Sequence, residues 1–108
     1  MGDFDGTFPF QPRYVQVAED VRLHYVEEGE GEPVLMLHGN PTWSYVYRRF
    51  IPPIAAAGFR AIAPDHMGFG RSDRPPGHAR YTMRGHVDNL LGFIRDLDLR
   101  DITLVMQD

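Results

Sequence analysis

Residues 34–45 read VLMLHGNPTWSY, a short apolar run followed by a polar loop. The first four residues are continuously apolar, which is typical of a parallel strand that is covered on both faces. His38 and Gly39 end this run. Because ligand sites in α/β sheets lie where the chain leaves the carboxyl ends of such strands, the loop after residue 37 is a predicted functional site.

Two further strands are predicted upstream of this run. Residues 14–17 and 21–26 alternate apolar and polar side chains, and Glu19 and Asp20 lie between them at a turn. This pattern predicts an antiparallel hairpin. Residues 27–33 (EEGEGEP) are acidic and contain Gly and Pro, so we expect a solvated connection there.

Downstream of the run, helices and buried strands alternate. Residues 43–57 suit a short helix that Pro52 and Pro53 must break or restart. Residues 64–77 predict a long loop. The strongest helix signal follows Thr82, a potential N-cap, with apolar residues at helical spacing. These are Met83, Val87, Leu90, Leu91 and Ile94. Two more buried strands are predicted at residues 59–63 (FRAIA) and 102–106 (ITLVM).

The order of these elements predicts the α/β class, in a doubly wound sheet. Two antiparallel leading strands precede parallel strands joined by crossover helices. Three segments then follow carboxyl ends of buried strands: residues 38–44, 65–73 and 107–108. The last strand ends at Asp108 with no helix after it, so the sheet is expected to be incomplete without further chain.

Composition excludes several classes of function. The chain has 108 residues, no cysteine and a formal net charge of -4. The charge opposes nucleic acid or an anionic membrane as a partner, and the absence of cysteine excludes disulfides and thiolate chemistry. The N-terminus does not resemble a secretory signal and no apolar run is long enough to span a bilayer, so a cytoplasmic location is expected. No phosphate loop or metal-ligand spacing is present, and we expect no metal and no cofactor.

Three motifs resemble those of haloalkane dehalogenases, a family of α/β hydrolases. Residues 38–45 (HGNPTWSY) resemble the oxyanion loop of that family. Residues 65–73 (DHMGFGRSD) resemble a glycine-rich loop common to α/β hydrolases, and residues 104–108 (LVMQD) resemble the strand that leads into the nucleophile elbow. The resemblance covers nearly the whole chain from Tyr14. It implies that residues 1–108 form the N-terminal part of the hydrolase core domain, without its cap domain and C-terminal core.

The resemblance implies a role for three residues. Asp108 is the expected nucleophile, because a carboxylate is ionised without a base and forms an ester that water can hydrolyse, whereas a serine would be trapped as an ether. Asn40 is expected to bind the leaving halide through its side-chain amide and to hold the ester oxyanion through its backbone N–H. Trp43 is expected to line the site.

The remaining polar residues of these motifs are expected to be structural. His38 ends a strand, His66 lies in a loop and His86 is isolated on a helix, so none is predicted as the catalytic base or as a metal ligand. Asp65 and Asp73 are expected to organise their loop by accepting hydrogen bonds from backbone N–H groups.

The implied activity is hydrolysis of a small halogenated hydrocarbon to an alcohol, a halide ion and a proton, with water and the remainder of the hydrolase chain as partners. Two enzymes of the same fold compete with this interpretation. An epoxide hydrolase usually has an aromatic or aliphatic residue in place of Asn40, and a coelenterazine-type luciferase keeps both Asn40 and Asp108. Outside enzymes, the chain could be a non-catalytic fragment or an assembly partner.

Overall fold

The computed structural model describes residues 10–18, 21–38, 44–68, 70–74 and 83–106. Within these ranges the chain forms one mixed sheet of five strands with helices. The elements in chain order are β1 (Arg13–Ala18), β2 (Val21–Glu28), β3 (Pro33–Leu37), a 3-10 helix (Ser44–Tyr47), α1 (Ile51–Ala56), β4 (Arg60–Pro64), α2 (Met83–Asp96) and β5 (Thr103–Met106).

The predicted N-terminal hairpin is confirmed, but β2 is longer than the sequence suggests. β1 and β2 are antiparallel neighbours. β2 then continues through Glu27 and Glu28, which pair with Ile62 and Ala61 of β4. The Glu27 carboxylate accepts a hydrogen bond of 2.7 Å from the Arg60 guanidinium. The predicted solvated connection is therefore shorter than residues 27–33: residues 29–32 are exposed and join the strands, whereas Glu27 and Glu28 extend β2 and Pro33 begins β3.

The helix predicted over residues 43–57 is divided in two. A 3-10 turn precedes α1, and Pro52 and Pro53 lie in the first turn of α1. Proline is tolerated there because the first backbone N–H groups of a helix have no intrahelical acceptor. The prolines therefore restart the helix rather than ending the segment. Gly58, with φ of +95°, follows the C-terminus of α1, where glycine is favoured because it adopts a positive φ without strain.

Alternate residues of the central strands face two separate cores, one on each side of the sheet. On β3, Leu35 and Leu37 belong to the core that contains Phe93 of α2. Met36 belongs to the opposite core, which contains Ile51 of α1. The two helices therefore cover opposite faces, and the predicted doubly wound α/β class is confirmed.

The buried face of α2 agrees with the prediction in part, since Leu90 and Ile94 pack against the core. Phe93 is fully buried, and its ring lies edge-on to Tyr25 at 5.2 Å between centroids. Leu91 is 56% exposed, and Val87 is also exposed. Helical spacing alone groups apolar residues without showing which ones meet the sheet. Because α2 packs on β1, the contact passes through Phe93 rather than Leu91.

β5 is a strand as predicted, but its predicted burial is not seen in this chain. β5 is exposed along its whole length, with Met106 at 68%. It lies at one end of the sheet and pairs with β3 alone. α2, which precedes β5, packs on β1 at the opposite end of the sheet, so neither described helix covers β5.

The strand order places a topological switch at β3. The order across the sheet is β1-β2-β4-β3-β5, so β3 has a parallel neighbour on each side. The chain moves from β3 to β4 in one direction and later reaches β5 in the other. Crevices outside the carboxyl ends of the strands at such a switch are the usual ligand sites of open α/β sheets.

Candidate functional site

The candidate site is the carboxyl edge of β3 and its two parallel neighbours. Leu37, the last residue of β3, is paired with Met106, the last residue of β5. Leu35 is paired with Ile62 of β4. The segments that follow the three strands therefore begin at the same edge of the sheet.

His38, directly after β3, joins two of these segments. Its side chain is buried, and its Nε2 atom accepts a hydrogen bond of 2.9 Å from the backbone N–H of His66. An imidazole nitrogen that accepts carries no proton, so the neutral ring bears its proton on Nδ1. Because Nε2 is occupied by this bond, His38 serves to tie the loop after β3 to the loop after β4.

Three histidine rings form a series at this edge. The centroids of His38 and His66 lie 4.4 Å apart, and those of His66 and His86 lie 5.7 Å apart. Burial, followed by the electrostatic effect of the neighbouring His38 and His86 rings, lowers the pKa of His66 to about 4. Burial also lowers the pKa of His86. His66 is therefore neutral at physiological pH.

Asp65 is a buried carboxylate with three hydrogen-bond donors. Its Oδ2 lies 2.7 Å from Nδ1 of His24 and accepts from the backbone N–H of Arg71 at 3.1 Å. Its Oδ1 accepts from the backbone N–H of Ser44. Burial alone would raise the pKa of the Asp65 carboxyl, but these bonds outweigh burial and lower the pKa below its usual value. An ionised carboxylate only accepts, so His24 carries the shared proton on Nδ1.

The loop that follows Asp65 is hydrogen bonded along β2. Ser72 Oγ donates to the backbone carbonyl of Asp65 at 2.6 Å and accepts from the backbone N–H of His24 at 2.7 Å. Asp73 Oδ2 accepts from the backbone N–H of Arg22 at 2.8 Å. The prediction that Asp65 and Asp73 organise this loop by accepting backbone N–H bonds is confirmed.

Asn40, Trp43 and Asp108, which the sequence predicts as site residues, lie outside the described residues. Their neighbours in sequence are described. Segment 39–43, which contains Asn40 and Trp43, is flanked by His38 and Ser44, and Met106 lies two positions before Asp108. The described part therefore supplies the framework from which all three predicted residues extend.

Among the described residues, no group of three or more His, Asp or Glu side chains has an arrangement that could hold a metal ion. In the same ranges, no helix is long and apolar enough to cross a membrane.

Residues 32–106 match the family described as the alpha/beta hydrolase fold. The chain belongs to this family. The resemblance to haloalkane dehalogenases inferred from the motifs is confirmed as well. This α/β hydrolase is 48% identical over 107 residues to a haloalkane dehalogenase of Mycobacterium marinum, covering 94% of this chain and 36% of that protein. It is 46% identical over 107 residues to one of Psychrobacter cryohalolentis, covering 94% of this chain and 35% of that protein.

Solved structures of α/β hydrolases show the same arrangement of elements. The tetrameric structure of a haloalkane dehalogenase from Paraglaciecola agarilytica matches with a TM-score of 0.90 and 44% identity, over 95% of this chain and 36% of that chain. An epoxide hydrolase from Vigna radiata matches with a TM-score of 0.85 and 33% identity, over 92% of this chain and 30% of that chain. The chain thus spans about a third of the length of these relatives.

Sequence reasoning missed His24 and Ser44 as parts of this hydrolase's loop framework. His24 lies on β2, 41 residues before Asp65, and Ser44 lies 21 residues before it. The only local signal at His24 is a polar residue among apolar ones on a strand. Its partner becomes evident once β2 and β4 are known to be antiparallel neighbours.

Proposed function

We propose that this chain carries the nucleophile and the halide-binding amide of a haloalkane dehalogenase. Asp108 attacks the halogen-bearing carbon, so a carbon–oxygen bond forms while the carbon–halogen bond breaks and halide leaves. Water then attacks the carbonyl carbon of the alkyl-aspartyl ester, which releases the alcohol and a proton and restores the carboxylate. The observation that carries this proposal is the parallel pairing of Leu37 with Met106, which begins the segments bearing Asn40 and Asp108 at one edge.

The proposed role of Asn40 follows from where charge develops. As the carbon–halogen bond breaks, negative charge grows on the halogen, and an amide N–H donor stabilises it more in the transition state than in the bound substrate. The backbone N–H of Asn40 serves the second step by holding the ester oxyanion. Trp43 lines the apolar pocket. No cofactor takes part in either step.

Further chain is part of the proposal. The water-activating histidine base, its orienting acid and the cap over the substrate belong to sequence beyond Asp108. In support, the exposed side chains of Leu104, Val105 and Met106 on β5 give the sheet an apolar end, and uncovered apolar surface of this kind is typical of an interface. We refer to this chain completed by such further chain, whether continuous or separate, as the intact hydrolase. A cytoplasmic location stays a prediction.

Epoxide hydrolysis is the second candidate, because the epoxide hydrolase from Vigna radiata also matches 92% of the chain. An opening epoxide needs an acid to protonate its oxygen, whereas a leaving halide needs a neutral donor. Asn40 is a neutral donor, and this favours the halide.

The test compares three substrates on the intact hydrolase and on its Asp108→Ala and Asn40→Ala variants. We expect bromide release from a short bromoalkane, abolished by Asp108→Ala, with slower turnover of an epoxide and no light from coelenterazine. Bromide release that is equal in the wild type and the Asp108→Ala variant would exclude the proposed nucleophile.

The remaining outcomes identify the competing functions. Turnover of the epoxide alone would favour the second candidate. Light emission from coelenterazine would indicate a luciferase-like activity. An intact hydrolase that turns over none of the three substrates would indicate a non-catalytic assembly role.

A further inference from the structure

The two residues that flank segment 39–43 are each hydrogen bonded to one of two consecutive residues, Asp65 and His66. His38, before the segment, accepts a hydrogen bond from the backbone N–H of His66 at 2.9 Å. Ser44, after the segment, donates its backbone N–H to the carboxylate of Asp65. Asp65 and His66 are consecutive and directly follow β4. The two ends of the segment are therefore attached to one point of the sheet edge.

This attachment point is itself rigidly held. Asp65 is fully buried and has the ring of His24 and the backbone N–H of Arg71 as further donors. Bonds to an ionised acceptor are roughly twice as strong as neutral ones, and burial excludes the water that would compete for them. Ser72 fixes the Asp65 backbone as well, through its carbonyl. Any displacement of Asp65 would break several buried bonds together.

We infer that Asp65 and His66, acting through Ser44 and His38, form a clamp that positions the side chain of Asn40 for halide binding. Asp65 and His38 are in this sense positioning residues, since neither is assigned contact with substrate. This inference rests on the proposed function, because it takes Asn40 as the halide donor.

Positioning of this kind matters because the proposed role of Asn40 depends on geometry. A functional side chain must be held within about 0.5 Å of its productive position. Misplacement by about 1 Å costs on the order of 100-fold in rate. Restraints on both ends of segment 39–43 limit the conformations open to the residues between them. The two hydrogen bonds at its ends supply such restraints.

The test removes the acceptor at His38 and measures halide binding by the intact hydrolase. His38→Phe keeps an aromatic ring and deletes the nitrogen that accepts from His66, whereas His38→Gln retains an acceptor. We expect the bromide product-inhibition constant to rise at least about 10-fold in His38→Phe and to recover partly in His38→Gln. His86→Phe is the matched control, a ring exchange in the same histidine series, and should leave halide affinity unchanged.

A double-mutant cycle separates positioning from general stability. If His38 acts through Asn40, then His38→Phe has no further effect on bromide inhibition or on the alkylation rate when Asn40 is already Ala. The clamp would be overturned if the effects of His38→Phe and Asn40→Ala on bromide inhibition were additive. It would also be overturned if His86→Phe weakened bromide inhibition as much as His38→Phe does. Ser44→Pro provides a second variant if His38→Phe does not fold. It deletes the N–H donated to Asp65 at a helix start that tolerates proline, and the same non-additivity is expected.

Failure of the clamp and failure of the proposed function give different results. If Asn40→Ala leaves bromide inhibition unchanged, the halide role of Asn40 is wrong. Amide hydrogen exchange then tests the clamp alone. His38→Phe should accelerate exchange at the His66 amide and across segment 39–43, and His38→Gln should do so much less. Equal exchange in the wild type and His38→Phe would overturn the clamp whatever the substrate.

Discussion

Leu37 and Met106 are paired across parallel strands, each as the last residue of its strand. Asn40 follows Leu37 by three positions, and Asp108 follows Met106 by two. An extended residue spans at most about 3.6 Å, so both side chains start within roughly 11 Å of one sheet edge. This relationship is the structural basis for treating Asn40 and Asp108 as parts of one site.

Replacement of Asn40 should slow the first chemical step. In the intact hydrolase, Asn40→Ala removes the donor that meets the leaving halide, and loss of one such donor costs about 100- to 1000-fold. Single-turnover formation of the alkyl ester should fall by that factor. Asn89→Ala on α2, where the amide contacts Met67, is the control and should retain the wild-type rate. Equal rates for Asn40→Ala and wild type would remove Asn40 from the halide site.

Gly70 is a second position with a matched control. It has φ of +51°, and a Cβ atom there would collide with the Asp65 carboxylate. Gly58 has φ of +95° with open space around a Cβ atom. Gly58→Ala should therefore cost about 1–2 kcal/mol from backbone strain alone. Gly70→Ala should cost a further 1–3 kcal/mol, roughly, because it displaces a buried carboxylate.

Urea unfolding midpoints measure this difference. A displaced Asp65 should also weaken bromide inhibition in Gly70→Ala, while Gly58→Ala should not affect it. Equal destabilisation of the two variants would mean that the close approach of Gly70 to Asp65 has no energetic importance.

The histidine series predicts a loss of stability in mild acid. His66 has a folded pKa of about 4, against an ordinary value of 6.5. Below pH 6.5 the His66 imidazole binds a proton in the unfolded chain but stays neutral in the folded chain. The contribution of His66 to the free energy of unfolding is therefore fully present above pH 6.5 and declines as the pH falls towards about 4. His86, whose pKa is also lowered, contributes in the same direction.

The free energy of unfolding, measured from about pH 7.5 to about pH 4.5, checks this prediction. His66→Asn should flatten the curve over that interval. The ionised Asp65 carboxylate also stabilises the folded chain. Because its pKa is lowered in the folded chain, this stabilisation declines only when the pH falls below about 4. A curve for His66→Asn that parallels the wild-type curve would contradict the assigned pKa.

β5 provides a test of the proposed further chain. Leu104 on β5 is 51% exposed and Phe50, between the 3-10 helix and α1, is 57% exposed. In the intact hydrolase, Leu104→Asp should cost several kcal/mol, because further chain buries that position and an unpaired charge with it. Phe50→Asp should change the unfolding free energy by about 0.5 kcal/mol or less. If Leu104→Asp is equally mild, β5 is not covered.

Several elements are predictable because their signals are local. The continuous run VLML identifies β3 as a doubly covered strand, and alternation identifies the hairpin of β1 and β2. The end of β2 could not be predicted, because two consecutive glutamates are typical of a loop. Glu27 and Glu28 belong to the strand only because they pair with residues of β4. The burial of Phe93 was not predicted, because helical spacing does not show which face of the helix packs against the sheet.

The site is predictable in part for the same reason. Its place at strand ends follows from the order of elements, and the motifs supply Asn40 and Asp108 as the residues proposed for it. The clamp is not predictable, because it depends on contacts between distant parts of the chain. Asp65 meets His24 and Ser44, which lie 41 and 21 residues away, only after β4 inserts between β2 and β3. No residue-by-residue pattern encodes that insertion.

The most direct test of the central claim is a single turnover of a short bromoalkane by the intact hydrolase in water enriched in heavy oxygen. If Asp108 forms an ester that water attacks at its carbonyl carbon, the alcohol receives ordinary oxygen from the carboxylate. Mass spectrometry should then find the heavy isotope in the peptide that contains Asp108. Heavy oxygen in the alcohol with an unlabelled Asp108 would mean that water attacks the substrate directly, and would contradict the account.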